Sequence, residues 1–390
     1  MPVNKLHIVW LLGLLGFMCG SCVTPYEPEL DESQEVLVIS GMITDQSGLH
    51  QVAVSRSSPY RLPEFQGLES CVVTVTNQDG DMIVYSDAGE GIYEADVPDD
   101  FLDVGDAASL YVMTPGQREY QSSYDTILAC PDLDSIYWEP GTLETPDPEF
   151  NRPGIQFYLD MTGEAGDSRN MIWRVRETWE YWASLFGTHV MYNWGYTVPF
   201  RSNVLFKCWK SYPLDQIYTG TTRNLSQNEL LRLPLNFVSN ETERLSVTYS
   251  LYVQQQSLTL EAYDYWQRMN DQAAESGGMY EKQPASVQGN IYSMYNPDDV
   301  VLGYFYASQV REQRIFVKNN NLFDFTIPHV SCEYEPTSSL WANWGDQNMH
   351  FPVYIYDPGP FQPKYWGPEE CFDCRVQGGD TIRPLIWETW

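Results

Sequence analysis

Short runs of alternating apolar and polar residues, cut by turn formers every ten or so positions, constrain this chain more than any other feature, because a period of two builds sheet and not helix. Val36-Leu37-Val38-Ile39-Ser40-Gly41 reads as a buried strand, and Gln51 to Ser55 alternates in and out. Val72 to Thr76 and Met82 to Tyr85 flank a turn in which Asp79-Gly80 supplies the positive φ of a hairpin. Without EF-hand spacing, Asp79 and Asp81 read as turn residues rather than calcium ligands. Ile92 to Ala95, Ala108 to Met113 and Glu119 to Tyr124 complete a set of strands that predicts an immunoglobulin-like β-sandwich over residues 36–125.

Residues 126–390 read as a larger β-rich domain, entered at Cys130-Pro131-Asp132 and interrupted by a Pro- and acid-rich loop from Pro140 to Pro153. Ile155, Phe157, Leu159 and Met161 alternate with polar neighbours, as do Trp173, Val175, Trp179 and Tyr181, and then Val247, Tyr249, Leu251 and Val253. That alternation buries most of the tryptophan cluster. One amphipathic helix is predicted near 258–275, where Leu258, Ala262, Tyr265, Trp266, Met269 and Ala273 share a face opposite Glu261, Asp264 and Arg268. Ser257 is its expected N-cap and Gly277-Gly278 its stop. Strands resume at Ile291 to Tyr295, Val300 to Ala307 and Gln313 to Lys318.

The first residues have the form of a secretory signal: Lys5, then an apolar run from Ile8 to Met18. That run is far shorter than the roughly 20 residues a membrane span needs. Small Gly20 and Ser21 precede Cys22, a pattern that resembles a bacterial lipoprotein signal, whereas the competing Cys19 follows bulky Met18. Residues 1–21 are therefore expected to be removed as a lipoprotein signal peptide and Cys22 to carry acyl chains such as palmitate, with residues 22–35, rich in Pro, Glu and Asp, as an acidic tether. The acidic stretch resembles the surface-export tethers of Bacteroidota lipoproteins, a resemblance that implies an outer-membrane anchor and a body facing the cell exterior.

Loss of residues 1–21, with their one lysine, moves the formal charge from −31 to −32. A body this acidic repels nucleic acid and anionic membrane surfaces, so contact with a membrane is expected through lipid alone. Besides Cys22 six cysteines remain, and an exported protein with an even count favours disulfides, although sequence cannot choose the pairing. The Cys371-Phe372-Asp373-Cys374 spacing suits two zinc thiolates, with Cys208 and Cys332 available to complete a set. Lacking a second C-x-x-C, and in an oxidising compartment, the disulfide reading prevails. Cys130, Cys208, Cys332, Cys371 and Cys374 are the disulfide candidates.

Local catalytic signatures are absent, and His50, His189, His329 and His350 lie far apart in the sequence. Neither an enzyme nor a cofactor or metal site is expected. Trp341 and Trp344 are candidate ligand or interface aromatics, since exposed aromatic rings stack on sugars or anchor partner surfaces.

Several stretches together resemble the domain-of-unknown-function 4249 family of Bacteroidota lipoproteins. They are Val36 to Ser55, Tyr124 to Ile127, Asp134 to Trp138, Tyr249 to Met269, Gln283-Pro284-Ala285, Gly289-Asn290-Ile291 and Val301 to Phe305, with Cys371 to Arg375, Gly378-Gly379 and Trp387 at the end. The resemblance runs over nearly all of the expected mature chain and carries no catalytic residue with it. It implies companionship with a TonB-dependent outer-membrane receptor, and it places Cys71 where a small apolar residue is usual, which argues against a disulfide there. The leading expectation is a non-enzymatic binding or lid partner of such a receptor in uptake of a solute. The alternative is a carbohydrate- or peptide-binding adhesin that acts without a transporter.

Overall fold

The computed structural model describes residues 36–57, 65–193, 196–199, 205–275, 287–319, 322, 332–338 and 351–387. The signal segment, Cys22, the tether, Trp194, Gly277-Gly278, His329, Trp341, Trp344 and His350 lie outside them. The chain is mainly β, as the alternation predicts.

Strands Leu37–Thr44, Gly48–Arg56, Val72–Asn77, Met82–Gly89, Ile92–Val97, Ala107–Met113 and Glu119–Ser122 reproduce the expected N-terminal set. Two layers face each other. Met82–Gly89 is the corner, its first half paired with Val72–Asn77 and its second with Ile92–Val97. Ile39, Val52 and Tyr93 from one layer meet Val73, Val75, Leu110 and Val112 from the other, all at 0–1% exposure. At the hairpin between Val72–Asn77 and Met82–Gly89, Gly80 takes φ 90°, and the Asn77 side chain accepts the Asp79 and Asp81 N–H groups at 3.1 and 2.9 Å, so these aspartates belong to a turn.

Three later strands complete this sandwich. Ile291–Ser293 pairs with Glu119–Ser122, while Val301–Leu302 and Phe305–Ser308 run parallel to the first strand, with Gly41 opposite Phe305. Gly303 makes this join possible: at φ 96° its α-carbon passes so close to the Ile39 carbonyl that an added Cβ would stand 1.9 Å from that oxygen. Ser308 then leads through Gln309 into strand Val310–Lys318 of the second half. A polar seam seals the junction, where Gln309 accepts the Cys130 N–H at 2.9 Å and donates to Asp45 at 2.8 Å.

The second half is another sandwich. A three-stranded sheet, Asp132–Leu143, Arg152–Thr162 and Glu229–Ser239, packs on a five-stranded sheet whose main path is Lys207–Pro213, Asn170–Trp182, Thr248–Ser257 and Val310–Lys318. Between them lie Ile155, Phe157, Leu159, Met161, Trp173, Tyr249, Leu251 and Val253, each fully buried, with Trp179 close to it. Trp173 and Trp179 are core, as their alternation requires, whereas Trp182 at the strand's end is 45% exposed.

Leu258, just before helix Leu260–Glu275, and Ala262 and Tyr265 within it pack against Ile172 of the second sandwich and Tyr304 and Tyr306 of the first. Its N-terminus differs from expectation. Thr259 accepts the Ala262 N–H at 3.4 Å, whereas Ser257 still belongs to the preceding strand and donates to the Leu128 carbonyl at 2.6 Å. A small C-terminal sheet of His189–Asn193, Tyr196–Pro199, Glu335–Pro336, Val353–Tyr356 and Tyr365–Gly367 completes the molecule.

Candidate functional site

A cleft of about 820 Å³ opens at the edge of the N-terminal sandwich, beside Val36. Val36 and Leu37 form one wall, Arg56 lies opposite Leu37 in the neighbouring strand, and the turn Thr114 to Arg118 and the loop Asn296 to Val300 close the other sides. Val36 is fixed by reciprocal bonds, its N–H donating to the Ser57 hydroxyl at 2.9 Å and its carbonyl accepting the Ser57 N–H at 2.8 Å. The Thr114 turn is closed by the Gln117 N–H on the Thr114 carbonyl at 2.9 Å, and the loop by the Asp298 N–H on the Asn296 side chain at 3.2 Å.

Both signs of charge meet in this recess. Tyr120 donates to Asp299 Oδ2 at 2.9 Å, and the Arg118 guanidinium lies 3.9 Å from the same oxygen. Burial, followed by that bond to Asp299, raises the Tyr120 pKa above its ordinary value, so the phenol is a fixed donor at neutral pH. Arg56 and Asp298 add a second cation and a second anion. The arrangement suits holding a partner segment or solute that presents both charges.

Sequence reasoning did not find this site. In a chain with 22 basic residues against 53 acidic ones each arginine is a signal, but Arg56 and Arg118 meet Asp298 and Asp299 only because residues 291–308 return to the N-terminal sheet.

The cysteines resolve into two disulfides, Cys208–Cys374 and Cys332–Cys371, with Cα separations of 5.7 and 5.5 Å. The C-x-x-C thiols therefore bond to separate partners and clasp the turn around residue 372 from two sides. Cys130 corrects the sequence expectation: it is a free, buried thiol at the seam between the sandwiches, in contact with Gln255 and raised by burial to about 11. Cys71 is likewise free, its backbone N–H bonded to the Tyr93 hydroxyl at 2.8 Å. His50 is held between Thr44 and the Gly48 carbonyl at 2.8 and 3.0 Å, and His189 touches the neighbouring Thr188. Among the described residues no group of three or more His, Cys, Asp or Glu is placed to hold a metal ion. No described helix is long and apolar enough to cross a membrane.

No curated protein matches the chain. Among solved structures, trypsin-activated alpha-2-macroglobulin from Escherichia coli is matched at 7% identity over 58% of this chain and 15% of that one, with a TM-score of 0.18. The native conformation of the E. coli alpha-2-macroglobulin gives 9% identity over 58% and 13%, with a TM-score of 0.17. This chain thus spans a small fraction of either molecule, and scores this low carry no argument. A family model described as a domain of unknown function, DUF4249, matches residues 23–314, which include the strands returning to the first sandwich but not the C-terminal clasp around Cys371. The match covers about three quarters of the sequence, and the protein belongs to the DUF4249 family.

Proposed function

We propose that this protein is a surface-exposed outer-membrane lipoprotein of a Bacteroidota cell, held by acyl chains on Cys22, that serves as a non-enzymatic binding or lid partner of a TonB-dependent receptor in solute uptake. Position carries the reading. Val36 and Leu37 line the mixed-charge cleft, so the acidic residues 22–35 enter the body at its rim. A stretch of 14 residues reaches at most about 50 Å, which keeps the cleft end of the body within one protein diameter of the lipid. A solute that presents both charges would meet that end on its way into a receptor barrel.

Pull-down of the tagged full chain from detergent-solubilised outer membranes is the test. A TonB-dependent receptor should be recovered in amounts comparable to the bait, and isolation as a lone monomer would overturn the proposal. The adhesin reading depends on Trp341 and Trp344, which lie outside the described residues, and no observation favours it.

A further inference from the structure

Arg176, Tyr252 and Arg314 stand in one cross-strand row of the five-stranded sheet, Arg176 opposite Tyr252 and Tyr252 opposite Arg314. Val175 and Glu177 on one strand and Leu251 and Val253 on the next are buried in the core, so the alternation turns this row outward. The Arg314 guanidinium lies over the Tyr252 ring, 4.7 Å from its centroid, and its Nη1 donates to Ser250 Oγ at 2.9 Å. The adjoining row adds hydroxyls, with Ser250 and Thr178 buried and Thr178 within 2.9 Å of the Ser211 oxygen.

Neither arginine forms an ion pair with a described carboxylate. Glu312 accepts from Gln254 at 2.9 Å and is also hydrogen-bonded to Tyr252, so its charge reaches the row without an ion pair to either arginine. Burial lowers the Arg314 pKa from its ordinary value and Arg176 pushes the same way, against Tyr252 and Glu312. With acids outnumbering bases by 53 to 22, two arginines in one cross-strand row without an ion-paired carboxylate among the described residues run against the composition. Flanking aromatics shape the strip. On one side the helix presents Trp266, with Arg174 at 4.4 Å over its ring, and on the other Trp387 packs edge-on to Phe316 at 5.2 Å.

We propose that this strip binds a small oxyanion of the carboxylate or phosphate class between the Arg176 and Arg314 guanidinium groups, above Tyr252. A guanidinium fork matches two oxygens of either anion, and two forks that repel each other when empty are relieved by one bound negative group. The site is separate from the cleft at Val36 and does not rest on the receptor proposal.

Isothermal titration of the full chain with inorganic phosphate, and separately with malonate, tests it. At least one should bind with 1:1 stoichiometry, roughly tenfold or more weakly in Arg176→Gln and in Arg314→Gln, and not at all in the double variant. Which anion binds tells phosphate from carboxylate recognition. Arg176 is exposed, so Arg176→Gln keeps the test valid if Arg314→Gln folds poorly. Arg118→Gln, in the cleft, should leave binding unchanged. No binding of either anion at about 1 mM, or equal binding by wild type and the Arg176→Gln variant, would overturn the proposal.

Discussion

The Asp125 carboxylate accepts the Thr259 hydroxyl at 2.7 Å and, through its other oxygen, the Ala307 N–H at 3.0 Å, so one buried side chain joins the first sandwich, the helix N-terminus and the returning strand. Burial pushes its pKa up to about 6, against the hydrogen bonds from Thr259, Ala307 and Thr126, with Glu261 adding to the rise. An acid whose folded pKa lies above its unfolded value near 4 binds its proton more tightly when folded. Its contribution is fully present below about pH 4 and is lost as pH rises through about 6. Urea unfolding of wild type and Asp125→Asn between pH 4 and 7 should show the wild-type advantage shrinking by about 2–3 kcal/mol as pH rises. A difference that does not change with pH would refute this account of the junction.

A buried charge network stands inside the second sandwich. Glu177 accepts from Tyr249 at 2.9 Å and from Arg244 at 3.2 Å, and the Tyr249 oxygen accepts an Asn236 N–H at 3.1 Å. Arg244→Ala leaves Glu177 without its countercharge and should cost about 3 kcal/mol in denaturant melts. Tyr249→Phe removes one charged hydrogen bond and should cost about 1–2 kcal/mol.

Peptide mapping without reduction should return Cys208–Cys374 and Cys332–Cys371, with Cys71 and Cys130 as the alkylatable thiols after unfolding. The two bridges close loops of 166 and 39 residues, and removing either by paired Ser substitution should cost about 2–5 kcal/mol. A Cys371–Cys374 bridge would contradict the pairing.

Gly303→Ala tests the returning strand. At φ 96°, with the Ile39 carbonyl in the path of a Cβ, any side chain must strain the backbone or part the strands. A loss of at least about 2 kcal/mol is expected in thermal or urea melts, and a neutral effect would contradict the register.

Alternation makes the N-terminal strands, the second core and the helix legible in the amino-acid sequence alone, since Ile155 to Met161 or Leu258 to Met269 each display their own period. What stays hidden depends on distant parts meeting. The stretch Val301 to Ser308 reads as ordinary strand, and nothing local says that it pairs in parallel with Leu37 to Thr44. The same reason hides the cleft, the Arg176 and Arg314 row and the disulfide partners. Cys130 misleads because cysteine count bears on how many bridges can form, whereas its burial beside Gln255 decides that it forms none.

Intact-mass analysis of the protein extracted from native outer membranes addresses the anchor on which the functional proposal stands. A polypeptide beginning at Cys22 and heavier than its sequence by the mass of attached acyl chains is the expected result. Cys22→Ala should abolish that mass and release the body or stall its processing, whereas Cys19→Ala should do neither. A mature protein that starts elsewhere, or begins at Cys22 with no acyl chain, would contradict the account.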